Sequence, residues 1–98
     1  MVNIDLEEKY VDFIRNTIDS VLDKADIYLF GSRTQGTAQK YSDVDIAIDT
    51  KYDINIDDIL KLKAIFRNST FPYKVDIVDL HSTDNDFLKI IEPDLYKI

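Results

Sequence analysis

The residues of this sequence whose types and spacing can support chemistry lie between positions 31 and 45. Gly31 and Ser32 end a short apolar run, and ten residues separate Ser32 from Asp43 and Asp45, which open an alternating segment. A glycine that ends a strand lets a ligand approach the backbone, and a serine at the start of a helical turn offers a hydroxyl and unpaired N–H groups to phosphate. Two aspartates at positions i and i+2 of one strand direct both carboxylates the same way, so they can share divalent metal ions. The spacing therefore predicts a site for a metal-bound phosphate compound.

A third acidic residue usually completes a site of this kind, and the segment KVDIVDL at positions 74–80 supplies two candidates. Val75 and Ile77 share one parity along the predicted strand, and Asp76 has the other. Asp76 is therefore expected on the same face as Asp43 and Asp45. Asp79 shares the parity of the apolar residues, so we select Asp76.

The elements predicted to position these residues alternate between helix and strand. Helical spacing of apolar residues predicts a helix over 5–23, and apolar runs or alternation predict strands over 26–30, 43–49 and 74–80. The remaining elements are a helical turn within 32–40, a helix over 56–67 and a helix from about 84 to the Glu92–Pro93 interruption. The helix over 56–67 begins after the capping residue Asn55 and is expected to turn four apolar residues inward, namely Ile56, Ile59, Leu60 and Phe66. The order α-β-α-β-α-β-α predicts one α/β (α+β) domain over residues 1–98, with a three-stranded sheet whose polar face stays open.

Length, charge and composition restrict the function further. Ninety-eight residues are enough for one domain, and the net charge of −7 argues against binding a polynucleotide backbone. A single nucleotide stays compatible with this charge because bound metal ions supply positive charge. There is no cysteine, no apolar run long enough for a membrane span, and no apolar stretch in the acidic N-terminus MVNIDLEEKY that would make it a signal peptide. The expected location is the cytoplasm.

The pattern Gly31-Ser32-Arg33-Thr34-Gln35-Gly36, followed by Ser42-Asp43-Val44-Asp45 and later by VDIVD, resembles the minimal nucleotidyltransferases of the DNA polymerase β superfamily. The resemblance extends over nearly the whole chain. It implies a polymerase-β-like fold with a small mixed sheet, and transfer of a nucleoside monophosphate from a triphosphate that depends on Mg²⁺, with two ions expected. It also implies that Asp43, Asp45 and Asp76 bind metal and act in catalysis, and that Gly31, Ser32 and Arg33 hold the nucleotide phosphates.

The same resemblance implies a partner. Many such proteins are prokaryotic and pair with a small helical HEPN-domain protein, a ribonuclease toxin, whose tyrosine they adenylylate. We therefore expect this chain to be the antitoxin of a toxin–antitoxin pair, transferring AMP from ATP to an acceptor hydroxyl, in a homo- or hetero-oligomer. The sequence departs from the common form G-S-R-A-R-G because Thr34-Gln35 precede Gly36, which leaves one phosphate or acceptor contact open, with Lys40 as the candidate substitute for the second arginine.

Two alternatives remain open at this level. In the first, the domain is a catalytically weak or inactive antitoxin that neutralises its partner by covering its surface, and Gln35 is the feature in its favour. A pure binder would protect equally well with Asp43 and Asp45 replaced. The second, an antibiotic-modifying adenylyltransferase, is the weaker alternative because the 98 residues contain no separate domain to select an acceptor.

Overall fold

The computed structural model describes residues 4–98, which fold into alternating helices and strands. All seven predicted elements are present, although the first helix begins at Glu8 and not at residue 5. Within residues 4–98, none of the helices has the length and apolar character needed to cross a bilayer. The elements are α1 (Glu8–Val21), β1 (Asp26–Phe30), α2 (Ser32–Gln35), β2 (Val44–Asp49), α3 (Ile56–Arg67), β3 (Val75–Asp79), α4 (Asn85–Ile91), a 3₁₀ turn (Glu92–Asp94) and β4 (Tyr96–Lys97).

The strands form a mixed sheet in the order β3-β2-β1-β4. β1 pairs antiparallel with β2, and β2 pairs parallel with β3. The predicted number of strands was one too low, because β4 pairs antiparallel with the middle of β1 at the sheet edge. β4 has only two residues, so it shows no alternation by which sequence reasoning recognises a strand.

α1 and α3 cover one face of the sheet and form the main core with it. Val44, Ile46 and Ile48 of β2 are fully buried there, as the alternation predicted. The prediction for α3 was wrong in part, because Ile56 and Leu60 are 65% and 55% exposed. The stripe that faces the core runs instead through Ile59, Leu62 and Phe66, which recur at helical spacing.

The start of α3 follows from its capping residue. The side chain of Asn55 accepts a hydrogen bond from the backbone N–H of Asp57 at 2.8 Å, which satisfies one of the unpaired donors of the first turn. Asp57 and Asp58 in the first turn and Arg67 in the last complement the helix dipole. The predicted bounds and cap of this helix are confirmed.

The opposite face of the sheet is covered at one end, contrary to the prediction that it stays open. Ile91 at the end of α4 and Leu95 pack against Phe30, Ala47 and Val78 in a second, smaller apolar cluster. The apolar residues of this face lie beyond the aspartates along β2 and β3. The carboxylates therefore lie at the border of a covered region.

Candidate active site

Two of the predicted aspartates lie side by side because of the sheet register. Asp45 of β2 pairs with Asp76 of β3, and on its other side it pairs with Phe30 of β1. Residues paired in register on neighbouring strands direct their side chains to the same face. Asp43 directly precedes β2 and has the parity of Asp45, and its charge acts on the Asp45 carboxylate. The structure thus brings the three predicted aspartates to one end of one face.

The Asp45 carboxylate is electrostatically strained. Burial, then the charges of Asp76 and Asp43 and a hydrogen bond with Asp76, together raise the pKa of Asp45 from its ordinary 3.8 to about 6. Like charges close together disfavour ionisation of each other. The arrangement therefore concentrates negative potential at a point where a cation would relieve it.

The donor set fits Mg²⁺, which prefers carboxylate oxygens, usually from one or two side chains together with substrate phosphates. Within residues 4–98, no three His, Cys, Asp or Glu side chains already converge as a ready-made metal site. The contact between the carboxylates of Asp45 and Asp76 supplies two such ligands, and Asp43 is a neighbouring third.

The Gly31 turn lies directly against this carboxylate pair. Gly31 adopts a φ of 77°, which L side chains rarely adopt, and a Cβ added to it would collide with Oδ2 of Asp45 and lie 3.2 Å from its Cγ. Ser32 follows at once as the first residue of α2. The backbone N–H groups of Thr34 and Gln35 both donate to the Gly31 carbonyl, which fixes the turn. The predicted phosphate-binding turn and the predicted metal ligands therefore form one site.

Arg33 occupies a different place from the one predicted. Its side chain is buried, with Nη1 donating to the carbonyl of Asp5 at 2.8 Å and Nη2 to the carbonyl of Ser42 at 2.9 Å. The guanidinium lies 4.1 Å from the centre of the Tyr73 ring, a cation–π contact. The prediction that Arg33 contacts the nucleotide does not fit this geometry. Arg33 holds Ser42, and through it the position of Asp43.

The choice of Asp76 over Asp79 agrees with the hydrogen bonds of the structure. Asp79 Oδ2 accepts from the Ile54 backbone at 2.8 Å and from the Ser82 hydroxyl at 3.0 Å, and Oδ1 accepts from the His81 backbone at 3.0 Å. These bonds order the loops at the far end of β3. Asp79 therefore has a structural role, whereas Asp76 is exposed beside Asp45.

Gln35 makes a contact that sequence reasoning did not find. Its side-chain amide donates to Asp94 Oδ2 at 2.7 Å, which links α2 to the 3₁₀ turn near the C-terminus. The two residues are 59 positions apart, and the motif around Gln35 gives no indication of this partner. Gln35, at the position where the resemblance implies an arginine, thus already has a carboxylate partner.

Comparison with known proteins places this chain in a family. The family model described as "Polymerase beta, Nucleotidyltransferase" matches residues 12–94. The chain is similar to the probable protein adenylyltransferase MntA of Haemophilus influenzae, with 31% identity over 90% of this chain and 77% of that protein.

Solved structures show the same fold. The chain is similar to one from a toxin–antitoxin complex with AMP-PNP, with a TM-score of 0.77, 28% identity, and coverage of 88% of this chain and 69% of that one. It also resembles a chain of the complex between a tri-AMPylated Shewanella oneidensis HEPN toxin and its MNT antitoxin. That likeness has a TM-score of 0.73 and 22% identity over 94% of this chain and 71% of the other, and it shows the fold alone.

Proposed function

The chain belongs to the polymerase β nucleotidyltransferase family, and from this membership we propose that it transfers AMP from ATP to a hydroxyl group of a partner protein. The observation that carries the proposal is the contact of the Gly31 turn with Asp45, which is itself paired in register with Asp76. A phosphate-binding turn and a carboxylate pair in contact are what a metal-assisted nucleotidyl transfer needs. The similarity to a protein named as a protein adenylyltransferase supports the choice of AMP and of a protein acceptor.

In this proposal the two sides of the site hold different parts of the nucleotide. The backbone N–H groups and hydroxyl of the Gly31–Ser32 turn bind the triphosphate, because a helical turn directs unpaired donors at an anion. Asp43, Asp45 and Asp76 hold Mg²⁺, and bound Mg²⁺ supplies neutralisation of the charge that develops on the phosphates. Ionised Asp45 is strained without a cation, so cation binding and nucleotide binding are expected to support each other.

The transfer is a single displacement at phosphorus. The oxygen of the acceptor hydroxyl forms a bond to the α-phosphorus of ATP, and the bond from that phosphorus to the oxygen bridging the β-phosphate breaks. Pyrophosphate leaves with the electron pair of the broken bond. Asp76 is more exposed than its paired carboxylate Asp45. It orients the hydroxyl and accepts its proton, which then passes to solvent.

The proposed acceptor is a tyrosine of a HEPN toxin, for which this chain is the antitoxin. The sequence resemblance is the basis for this choice, and the similar chain at 28% identity was solved within a toxin–antitoxin complex holding an ATP analogue. Arg33 is absent from the proposed nucleotide contacts because its guanidinium binds two backbone carbonyls.

The test is transfer of label from [α-³²P]ATP to a co-purified HEPN protein, with the mass of the intact partner as a second readout. Asp43→Asn/Asp45→Asn should reduce transfer by about a hundredfold or more, since loss of a charge-stabilising group costs that much in rate. The matched control is Asp84→Asn/Asp86→Asn, which removes the same charge from the other D-x-D pair of the chain. Transfer that persists in the first variant, or is lost equally in the control, would refute the assigned site.

A second candidate function is neutralisation by binding alone. The hydrogen bond of Gln35 with Asp94 favours it, because a family position that often carries arginine here has no positive charge to offer a phosphate. Protection of cells from the toxin by the Asp43→Ala/Asp45→Ala variant, at the level of the wild type, would support this candidate over catalysis.

A further inference from the structure

β3 leaves one edge of the sheet unpaired within residues 4–98. The Val44 N–H donates to the Lys74 carbonyl at 2.8 Å, and the Leu80 N–H donates to the Ile48 carbonyl at 2.9 Å. In a parallel pair, alternate residues of a strand direct both backbone groups to the neighbour. The two observed bonds therefore show that the even-numbered residues of the β3 segment direct their backbone N–H and C=O groups towards β2. Val75 and Ile77 direct their N–H and C=O groups outward, where another strand can pair with them.

A groove of about 460 Å³ lies at the start of this edge, lined by residues of α3 and of the segment 71–76, and it ends at Asp76. α3 contributes Lys63 and Arg67, the start of the β3 segment contributes Lys74, and Tyr73 forms part of the wall. None of these three cations has a carboxylate within 4.0 Å in the described chain, so no ion pair neutralises them. In a chain with a net charge of −7, three unpaired cations around one groove mark a local preference for an acidic ligand.

We propose that the β3 edge binds an extended acidic segment of the acceptor protein as an added strand and presents its hydroxyl to Asp76. Successive side chains of such a strand alternate between the two faces of the sheet. Residues on one face meet Asp76, and residues on the other face meet Lys63 and Arg67, since α3 packs on the face of Val75 and Ile77. A segment that fits this edge therefore has an acidic residue immediately before and immediately after the residue with the acceptor hydroxyl. The transfer of AMP to that hydroxyl rests on the proposed function, whereas the binding of the segment to the β3 edge does not.

The order of strands explains why the groove suits the acceptor and not the nucleotide. The Gly31–Ser32 turn continues from β1, and the groove borders β3. Asp45 on β2 lies between them, paired with Phe30 on one side and Asp76 on the other. The Gly31–Ser32 turn and the groove thus flank the carboxylates on opposite sides, which leaves separate positions for the triphosphate and the acceptor.

The experiment measures binding of a fluorescein-labelled peptide to the whole chain by anisotropy. The peptide alternates Glu and Val around a central Tyr flanked by Glu, and its comparison peptide has Gln for every Glu. The test variant is Lys63→Glu/Arg67→Glu. The matched control is Lys61→Glu/Lys89→Glu, which makes the same charge change at exposed lysines outside the groove. A third peptide carries N-methyl groups on the residues whose N–H would pair with Val75 and Ile77.

We expect the Glu peptide to bind the wild type and the control variant within about twofold of each other, and the test variant about tenfold more weakly or worse. N-methylation should weaken binding by a similar factor, because main-chain hydrogen bonds give an added strand its affinity. Equal binding of the Glu peptide to both variants, or no effect of N-methylation, would overturn the docking proposal.

Two further readouts separate this proposal from the proposed function. Affinity for ATP with Mg²⁺ should be equal in the two variants, and its loss in Lys63→Glu/Arg67→Glu would assign the groove to the triphosphate and overturn the proposal. Charge-dependent peptide binding without AMP transfer, to the peptide or to a HEPN partner, would refute the proposed function and leave the docking surface supported.

Discussion

Replacing Asp45 by asparagine is predicted to stabilise the metal-free protein, and the stabilisation should grow with pH. Burial, followed by the charges of Asp76 and Asp43, raises the pKa of Asp45 to about 6 from 3.8. A carboxyl group with a higher pKa in the folded than in the unfolded chain binds its proton more tightly when folded. Its favourable contribution to stability is complete below about pH 3.8 and is lost as the pH rises through 6.

The size of the effect follows from the same shift. A shift of roughly two units corresponds to about 3 kcal/mol of unfolding free energy lost by the wild type between acid and neutral pH. Asp45 is only partly buried, so solvent screening reduces this value, and we expect about 1–2 kcal/mol for Asp45→Asn at pH 7.5. For a domain of this length, that gain corresponds to a rise in Tm of roughly 5–10 °C.

The assay is thermal unfolding of wild type and Asp45→Asn at about pH 4.5 and pH 7.5, in chelator and then in Mg²⁺. In chelator, the gap in Tm between the two proteins should be large at the higher pH and small at the lower. Mg²⁺ should raise the Tm of the wild type more than that of the variant, because binding to the folded state alone stabilises it.

Asp49→Asn is the control from the same strand, with the opposite sign. A hydrogen bond from Lys51 lowers the pKa of Asp49, so ionised Asp49 stabilises the fold above its unfolded pKa and loses this effect as the pH falls. That variant should be less stable at the higher pH. An Asp45→Asn protein with a Tm equal to or below that of the wild type at pH 7.5 would refute the reasoning from the carboxylate cluster.

Three further changes test how the structure positions this site. Gly31→Ala should abolish ATP binding in a calorimetric titration and cost about 1–3 kcal/mol, since the new Cβ meets Asp45 at a positive φ; unchanged ATP affinity would contradict the close approach. Arg33→Met should cost about 2–3 kcal/mol in urea unfolding because the backbone carbonyls of Asp5 and Ser42 lose part-buried hydrogen bonds from a charged donor, and a cost below about 0.5 kcal/mol would argue against the clamp. Asn55→Ala should lower stability by about 1 kcal/mol through loss of the cap, whereas Asn55→Asp should retain it.

The parts of the fold that sequence reasoning predicted are those with local signals. The helix over 56–67 begins at a capping side chain and contains a periodic apolar stripe, and both signals act within one or two turns. The segment 43–49 alternates strictly, which predicts both the strand and the face on which its aspartates lie. The same parity selected Asp76, and the register of β2 with β3 places it beside Asp45.

The parts that were missed depend on contacts between distant residues. β4 has two residues, and the coverage of the second face by α4 depends on where the chain returns after Pro93. α3 offers two apolar stripes, and only packing decides that Leu62 and Phe66 are buried while Ile56 and Leu60 are exposed. These features are set by tertiary structure, which overrides local propensity.

Arg33 shows that a motif residue can have partners that no sequence pattern predicts. Its neighbours in sequence suggest a phosphate ligand, but its two hydrogen-bond acceptors are the backbone carbonyls of Asp5 and Ser42. Every residue has a backbone carbonyl, so the sequence pattern cannot predict which carbonyl accepts a hydrogen bond. The ring of Tyr73, forty positions away in the chain, completes the environment of the guanidinium.

The measurement that tests the central claim most directly is transfer of AMP from [α-³²P]ATP to a purified HEPN partner, with and without Mg²⁺, by the wild type and by Asp43→Ala/Asp45→Ala. We predict labelling of a tyrosine of the partner with stoichiometric release of pyrophosphate, dependent on both Mg²⁺ and the aspartates. Binding of ATP and of the partner by the wild type without any labelling, or equal labelling by the variant, would contradict the account.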